Sequence, residues 1–361
     1  MFLTIILFIF ILGILIYVHE LGHFIAAKIS NIKVEEFAFG FPPKIWGKKW
    51  GETEYRINAI PIGGYVKMLG ESESSSSSRS YSRKGPFARA MVSISGVLMN
   101  FVLAWLILTV GFSVGMTSLT SSPDSIPGEK VKASIVAASV IENSPANTAG
   151  IVPGDILERG IYNGQETVFN STDELSNFTR ANRGREVDIV FRHNEEQKLA
   201  NISLAEEGNS PLGVEIIDNS SIKVKWYMAP IVAFREIVRV IEVYLAFLVT
   251  FFQQLFGQGE ISKEVGGPVA IYMLTGMAAK AGAIVVAQLI AILSISLAII
   301  NILPFPALDG GRLLFIILEK IFRRKVVREN IENIIHMIGF ALIILFAIAV
   351  TYKDVMQFII K

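Results

Sequence analysis

The 361-residue chain contains no cysteine. It can therefore form no disulfide bond and offers no thiolate to a metal ion, so a metal site would have to use histidine and carboxylate ligands. Charged residues make up only 18% of the chain and nearly cancel, leaving a net charge of +1. Nucleic-acid-binding proteins usually carry a concentrated basic excess, and this balance gives no reason to expect nucleic acid as a partner.

Hydrophobic residues, in contrast, supply 52% of the sequence, and the mean hydropathy is +0.51. Four apolar runs are candidates for crossing a bilayer, at residues 2–29, 90–114, 281–303 and 334–350. The first run lacks the basic start and the small-residue cleavage site of a signal peptide, which predicts a retained helix. The composition thus predicts a polytopic α-helical membrane protein with about four transmembrane helices.

The segment between the first two runs is polar and contains "EYRINAIPIGGYVKML" at residues 54–69. This stretch mixes β-forming residues with a proline and the pair Gly63-Gly64, which predicts a short β-hairpin. Basic residues concentrate in the same segment and in "EKIFRRKVVR" near the end of the chain. By the positive-inside rule both segments are expected on the cytoplasmic side.

Residues 118–222 are polar and show alternating strands such as "EVDIVFRH" and turn signals such as "NSPANTAG", which predict an inserted α+β domain. The following run, residues 230–256, carries four charges at helical spacing, and its uncharged remainder is short for a span. It is predicted to lie along the membrane interface as an amphipathic helix. The predicted plan is therefore two spans with the hairpin in 1–117, the inserted domain in 118–222, the interfacial segment in 223–260, and two further spans in 261–361.

Two of the chain's four histidines lie in "HELGH", inside the first apolar run. His19 and His23 are four residues apart, so on a helix they share a face and can bind one metal ion, for which zinc fits best. Glu20 lies beside them as a candidate general base. The alternative is a pair of hydrogen-bonded helix histidines, but an intramembrane cluster of ionisable groups favours function. His336 and His193 are interpreted as surface residues.

A catalytic zinc ion needs a third protein ligand. "NILPFPALDGGR", residues 301–312, ends the third span with Pro304 and Pro306, which break the helix, and contains Asp309. Asp309 is the candidate ligand, although an ordinary turn aspartate is the alternative for this segment alone. Asp309 reaches the same side of the membrane as His19 and His23 only if residues 230–256 do not cross.

These motifs resemble those of the site-2 protease family of intramembrane zinc metalloproteases, most closely its bacterial regulator-of-sigma-E type. "HELGH" resembles the first zinc motif of the family, and "NILPFPALDGG" resembles its second, Asn-x-x-Pro-x-Pro-x-Leu-Asp-Gly. The resemblance implies one zinc ion per chain, held by His19, His23 and Asp309, with Glu20 as the general base. It also implies that Asn301 positions the substrate.

The resemblance extends to a membrane-associated β-hairpin and to the second span. The family commonly has Gly-Pro-x-x-Asn there, whereas this chain has Val97 in place of the proline and keeps Asn100. Asn100 and Asn301 are expected to hold backbone groups of an unwound substrate. The hairpin is expected to pair with that substrate as an edge strand through Ile62, Gly63, Gly64, Tyr65 and Val66.

"NSPANTAGIVPGDILERGIYNGQ" is similar to a PDZ module, and the chain has room for one such domain where related proteins often carry two. A PDZ groove would accept peptide tails as an added strand. The resemblance implies a multi-pass protein of the bacterial inner membrane, with its active site toward the cytoplasmic half and its PDZ domain outside. It also implies single-span substrates of the anti-sigma-factor or signal-peptide-remnant type, trimmed beforehand by another protease.

Two other functions remain open from the sequence. A membrane-tethered metalloprotease of soluble proteins would also use His-Glu-x-x-His, but its zinc should lie outside the bilayer, with a ligand from a soluble helix. A catalytically silent, zinc-binding PDZ scaffold would have no need of a base at Glu20.

Overall fold

The computed structural model describes residues 2–71, 75–120, 126–132, 134–193, 196–208, 210–258, 265–324, 327 and 329–358. The chain divides into two compact units. The first comprises Met1–Leu108 and Ile237–Lys361, and the second comprises Thr109–Glu236. The second unit is wider at both ends than the predicted domain at residues 118–222, because it includes the end of one long helix and the beginning of another.

The α-helices of the described residues are, in chain order, α1 (Phe2–Ile29), α2 (Pro86–Val114), α3 (Pro145–Thr148), α4 (Thr172–Ala181), α5 (Ala229–Gln258), α6 (Pro268–Ala281), α7 (Ala283–Ile302), α8 (Asp309–Phe322) and α9 (Glu329–Phe358). The strands are β1 (Val34–Trp50), β2 (Thr53–Met68), β3 (Met116–Thr117), β4 (Glu129–Lys132), β5 (Ile135–Val140), β6 (Ile156–Tyr162), β7 (Gln165–Val168), β8 (Glu186–His193), β9 (Glu196–Ser203), β10 (Val214–Asp218) and β11 (Ser221–Lys223).

Four helices of the described residues are long and apolar enough to cross a membrane. They are Phe2–Ile29, Pro86–Val114, Ala283–Ile302 and Ile331–Met356, in agreement with the four runs predicted from the sequence. Helix α5 is not among them. Its charged residues Arg235, Glu236, Arg239 and Glu242 lie in its first half. Helix α2 continues unbroken through Val97. The chain is a membrane protein.

Strands β1 and β2 form an antiparallel hairpin whose turn lies at Gly51-Glu52. The short hairpin predicted within residues 54–69 is not formed, because these residues contribute only the second strand of a longer hairpin. Both strands bend, at Gly40 with φ +83° and at Gly63 with φ +119°, values that a residue without a Cβ adopts readily.

The bends fold the hairpin into four strips. Residues 36–39 pair on one side with residues 64–67 and on the other with residues 54–57, which in turn pair with residues 46–49. Residues 64–67 therefore form an outer strip with one edge free of strand partners among the described residues. Apolar side chains pack this sheet against the end of α1 and the start of α2, namely Ala26, Ala27, Ile32, Val34, Phe37, Val66, Met68 and Val92.

The second unit contains a sheet with strand order β10-β5-β6-β8-β9, to which β7 adds beside β6, and a small sheet with order β3-β11-β4. The core of the larger sheet is apolar and includes Ile135, Ile151, Leu157, Leu175 and Ile189. Helix α4 begins with a capping bond from Glu174 N–H to the Ser171 hydroxyl. Strand β10 lies at the edge of the larger sheet. The identity of this unit as a PDZ domain stays a prediction.

Candidate active site

Three predicted ligand side chains meet within the first unit. His19 and His23 lie one turn apart on α1, both buried, with their Nε2 atoms 3.2 Å apart. Oδ2 of Asp309, the first residue of α8, lies 3.0 Å from Nε2 of His19 and 3.3 Å from Nε2 of His23. The structure thus brings together two helices that are remote in sequence at one cluster of three potential donor atoms.

The spacing of these atoms fits a zinc site. Zinc–nitrogen and zinc–oxygen bonds of about 2.0–2.2 Å in tetrahedral geometry place neighbouring ligand atoms about 3.3 Å apart, and the three separations in the cluster are close to this value. Apart from the two imidazole nitrogens, Oδ2 of Asp309 has no polar partner among the described residues, although it is buried. The cluster of His19, His23 and Asp309 is also the only group of three or more possible His or carboxylate ligands found among the described residues.

Hydrogen bonds behind the histidines orient their rings. Nδ1 of His23 lies 2.8 Å from the carbonyl oxygen of Val92, which can only accept, so Nδ1 carries the proton and Nε2 keeps its lone pair for a metal. The side-chain amide of Asn100, which is fully buried, lies 3.3 Å from Nδ1 of His19. Since Oδ1 of Asn100 has no partner among the described residues, rotating the amide by 180° would let it accept the Nδ1 proton of a ligating His19.

Two glycines allow α1 and α2 to approach closely at this point. A Cβ at Gly22 would lie 2.3 Å from the Ser95 carbonyl oxygen, and a Cβ at Gly96 would lie 2.4 Å from Nε2 of His23. Neither distance is compatible with a side chain. Small residues at such crossings are how membrane helices bring their backbones together, and here they place α2 directly behind the histidines.

The loop before α8 is equally tight. Pro304 and Pro306 prevent α7 from continuing beyond Ile302, and the chain turns back so that α8 starts against the end of α7. A Cβ at Gly310 would lie 2.2 Å from the Ile302 carbonyl oxygen, and one at Gly311 would lie 2.3 Å from that of Phe305. The two glycines after Asp309 therefore permit the close return that carries this carboxylate to α1.

A cavity of about 760 Å³ opens beside the cluster. Glu20 lines it together with the three candidate ligands, and so do the predicted substrate-binding residues Asn301, Gly63, Gly64, Tyr65 and Val66. Ile62 lies in β2, but its side chain is outside the described part of the structure. Asn100 does not line the cavity, so its position favours contact with His19 over contact with a substrate.

Charged groups form one wall of this cavity. Arg312 of α8 makes an ion pair with Glu71, which follows β2. This ion pair raises the pKa of the Arg312 guanidinium above its ordinary value. Asp309 would bind a metal ion as its carboxylate anion.

The interpretation of His336 as a surface residue is wrong. Its side chain is 16% exposed and lines the cavity, and its Nδ1 accepts a 2.8 Å hydrogen bond from the backbone N–H of Ala307. The available signal was an ionisable residue at the edge of a predicted span, which by default suggests a functional position. His193, at the end of β8, lies 2.7 Å from Asp155 in the second unit and takes no part in this site.

Comparisons with known proteins identify the family of the chain. Residues 7–346 match Peptidase family M50. A Clostridium perfringens protein provisionally named a zinc metalloprotease is 36% identical, with 94% of this chain and 95% of that protein covered. The zinc metalloprotease RasP of Shouchella clausii is 29% identical, and the regulator of sigma-W protease RasP of Bacillus subtilis is 27% identical, each with 98% of both chains covered. The chain therefore belongs to peptidase family M50 and is a zinc metalloprotease of the site-2 type.

Proposed function

We propose that this protein is an endopeptidase that hydrolyses peptide bonds within the membrane, acting on single-span membrane proteins. The observation that carries the proposal is the cluster of His19, His23 and Asp309 beside Glu20, because two of its members and the base belong to a helix apolar enough to span a bilayer. A protease of soluble proteins would instead place its metal outside the membrane.

In this proposal the two imidazole Nε2 atoms and Oδ2 of Asp309 hold one zinc ion. When bound, zinc supplies Lewis-acid activation of water and of the peptide carbonyl. Glu20 receives the proton of the attacking water and passes it to the leaving amine, as a general base and then a general acid. The side chain of Asn100 orients His19, and the carbonyl oxygen of Val92 orients His23, in each case through a contact with Nδ1 of the histidine.

The substrate has to be unwound first, because a transmembrane helix engages its carbonyl groups in its own hydrogen bonds. Gly64, Tyr65 and Val66 of the strip at residues 64–67 line the cavity, and the strip has one edge free of strand partners among the described residues. A Cβ at Gly64 would lie 3.3 Å from Cγ of Glu20, so an added substrate strand would pass close to the base. Ladder bonds to this edge would replace the lost helix bonds, and Asn301 would hold a freed backbone group.

The proposed topology follows from the same cluster. His19 and His23 lie near the end of α1 that leads into the basic hairpin, so this end faces the cytoplasm. Helix α2 then leads outward and α7 leads back, which brings Asp309 to the same half of the membrane provided that α5 lies along the interface. We place the protein in the bacterial inner membrane, with the second unit on the outer side.

The second unit would bind peptide tails as a PDZ domain does. Strand β10 is an edge strand, and a groove of about 160 Å³ lies between it and α4. Apolar side chains line the groove, among them Leu175, Leu212 and Val214. A peptide added to β10 would place an apolar side chain there. Such a filter suits substrates that another protease has already shortened, such as an anti-sigma factor or a signal-peptide remnant.

The test uses purified full-length protein in detergent with a panel of single-span substrates, each made with and without its outer domain. Products are detected by mass spectrometry for the parent and for Glu20→Gln. Cleavage of the trimmed substrates by the parent and not by the variant supports the proposal. Equal cleavage by the two proteins would contradict the role of Glu20, and cleavage of soluble proteins alone would contradict the substrate class.

A further inference from the structure

The contact between His336 and Ala307 links the last membrane helix to the loop that presents Asp309. His336 belongs to α9, inside the fourth candidate span, where an ionisable side chain is costly unless it has a partner. Its partner is the backbone N–H of Ala307, which donates to Nδ1 at 2.8 Å. Ala307 lies two residues before Asp309, so this bond acts on the backbone immediately before the candidate ligand.

Ala307 is held in a conformation that it would not adopt freely. Its φ is +77°, in the left-handed region, where the Cβ of an L-residue is crowded. Such a residue persists only when its surroundings fix it, and such residues are frequent at functional sites. The hydrogen bond to His336 supplies one such constraint, since it fixes the direction of the Ala307 N–H.

A second contact from the same face of α9 holds the neighbouring residue. Gly339 is three residues after His336, so the two positions are adjacent on the helix surface. A Cβ at Gly339 would lie 2.5 Å from both the carbonyl oxygen and Cβ of Pro306. The backbone of α9 therefore lies directly against Pro306, while its histidine bonds to the next residue along the chain.

We propose that His336 and Gly339 hold residues 306–307 in place against α9 and so fix the position of Asp309. His336 is a positioning residue, because it would act on the metal through Ala307 and Asp309. The inference rests on the proposed role of Asp309 as a zinc ligand. Groups that support metal ligands from behind commonly change metal affinity by about 10–100-fold when they are removed.

The chemistry of the bond provides a matched pair of variants. Nδ1 can accept the Ala307 N–H only when it carries no proton, so His336 is neutral with its proton on Nε2. An asparagine at position 336 can place Oδ1 close to where Nδ1 lies and accept the same bond. A glutamine reaches further, toward the place of Nε2, and a leucine offers no acceptor.

The experiment measures zinc affinity in the full-length protein by competition with a chromophoric chelator, and ligand geometry from the absorption spectrum of the Co²⁺-loaded protein. The variants are His336→Asn, His336→Gln, His336→Leu, Gly339→Ala and Asp309→Ala, with Met337→Leu at an exposed position of the same helix as the control. We expect a loss of roughly tenfold or more for the leucine, glutamine and Gly339→Ala variants. The zinc affinities of the asparagine variant and of the Met337→Leu control should remain within about threefold of that of the parent.

Comparison of the Asp309 and His336 variants distinguishes a failure of this inference from a failure of the proposed function. Weak zinc binding by Asp309→Ala together with unchanged affinity and spectrum in His336→Leu and His336→Gln would overturn the inference and leave the zinc site intact. Unchanged binding by Asp309→Ala would overturn both. If His336→Leu fails to fold, the zinc affinities of His336→Asn and His336→Gln still test the inference, since both variants are polar. A higher affinity for the asparagine variant would support it, and equal affinities would overturn it.

Discussion

Gly96 of α2 lies directly against the imidazole of His23 in α1, so closely that a methyl group at position 96 would lie 2.4 Å from Nε2. The same added atom would lie 2.8 Å from Cε1 of His19. Because Gly96 has no side chain, both imidazole rings have room to direct their Nε2 atoms toward the same point. Helix α2 contributes no zinc ligand in this account, but its backbone sets where the ligands can be.

Gly96→Ala is expected to displace His23 and to lower zinc affinity by about tenfold or more. The fold should persist, because alanine favours a helix over glycine by up to about 1 kcal/mol and only a side chain has to move. Zinc content after dialysis and helical circular dichroism test the two statements. Gly85→Ala is the matched control, since a Cβ at that position meets nothing within 4 Å. Equal zinc retention by the two variants would contradict the packing argument.

Removal of zinc is expected to destabilise the protein, because the ligands on α1 and α8 come together only in the folded state. With free zinc at 100 times its dissociation constant, binding contributes about 2.7 kcal/mol to the free energy of unfolding. Thermal unfolding with zinc and with a chelator measures the difference. Asp309→Ala should show a much smaller difference than the parent, and a difference of the same size would exclude Asp309 as a ligand.

Val66→Pro is expected to reduce cleavage of a transmembrane substrate strongly while zinc stays bound. Proline removes a backbone N–H from the strip at residues 64–67 and fixes φ, which disturbs strand pairing. Val66→Ala, which shortens the side chain but keeps the N–H, is the control and should be much less affected. Turnover and zinc content are measured for both. Unchanged turnover by the proline variant would rule out substrate pairing at this edge.

Glu52, at the turn of the hairpin, gives a prediction about pH. Hydrogen bonds from Arg79 and Lys28 lower its pKa from 4.5 to about 2. Because the pKa is depressed in the folded state, the ionised carboxylate stabilises the fold above about pH 4.5, and this contribution disappears as the pH falls toward 2. Glu52→Gln should therefore be less stable than the parent at pH 6, and the difference should shrink steadily as the pH falls from about 4.5 toward 2. A stability difference that does not change with pH would contradict this.

The cluster of His19, His23 and Asp309 was largely predictable from the sequence because the two histidines are close together in the chain. The spacing of His19 and His23 is one helical turn, which puts them on one face whatever the rest of the chain does. Asp309 stood out because acidic residues are rare in apolar surroundings, and because the prolines before it end a span. That these side chains meet could be argued only from the number of membrane crossings, and the structure supplies the 3.0–3.3 Å separations.

What the sequence did not reveal depends on contacts between distant segments. Residues 34–50 contain prolines and many charges, so their pairing with β2 was not expected, and the hairpin is longer than the one predicted within residues 54–69. His336 was missed because its partner is a backbone N–H at Ala307, which no side-chain pattern shows. Asn100 was assigned to substrate binding by resemblance, whereas its contact with His19 follows from the closeness of two helices at Gly22 and Gly96.

The position of the cut is the most direct test of hydrolysis within the membrane. A trimmed single-span substrate is incubated with the purified parent protein, and its products are sequenced by mass spectrometry, with Glu20→Gln as the blank. We expect cleavage at a bond inside the apolar span, and only in the sample that contains the parent protein. A bond cut in the flanking soluble segment, or the same cut in the Glu20→Gln sample, would contradict hydrolysis within the membrane by this site.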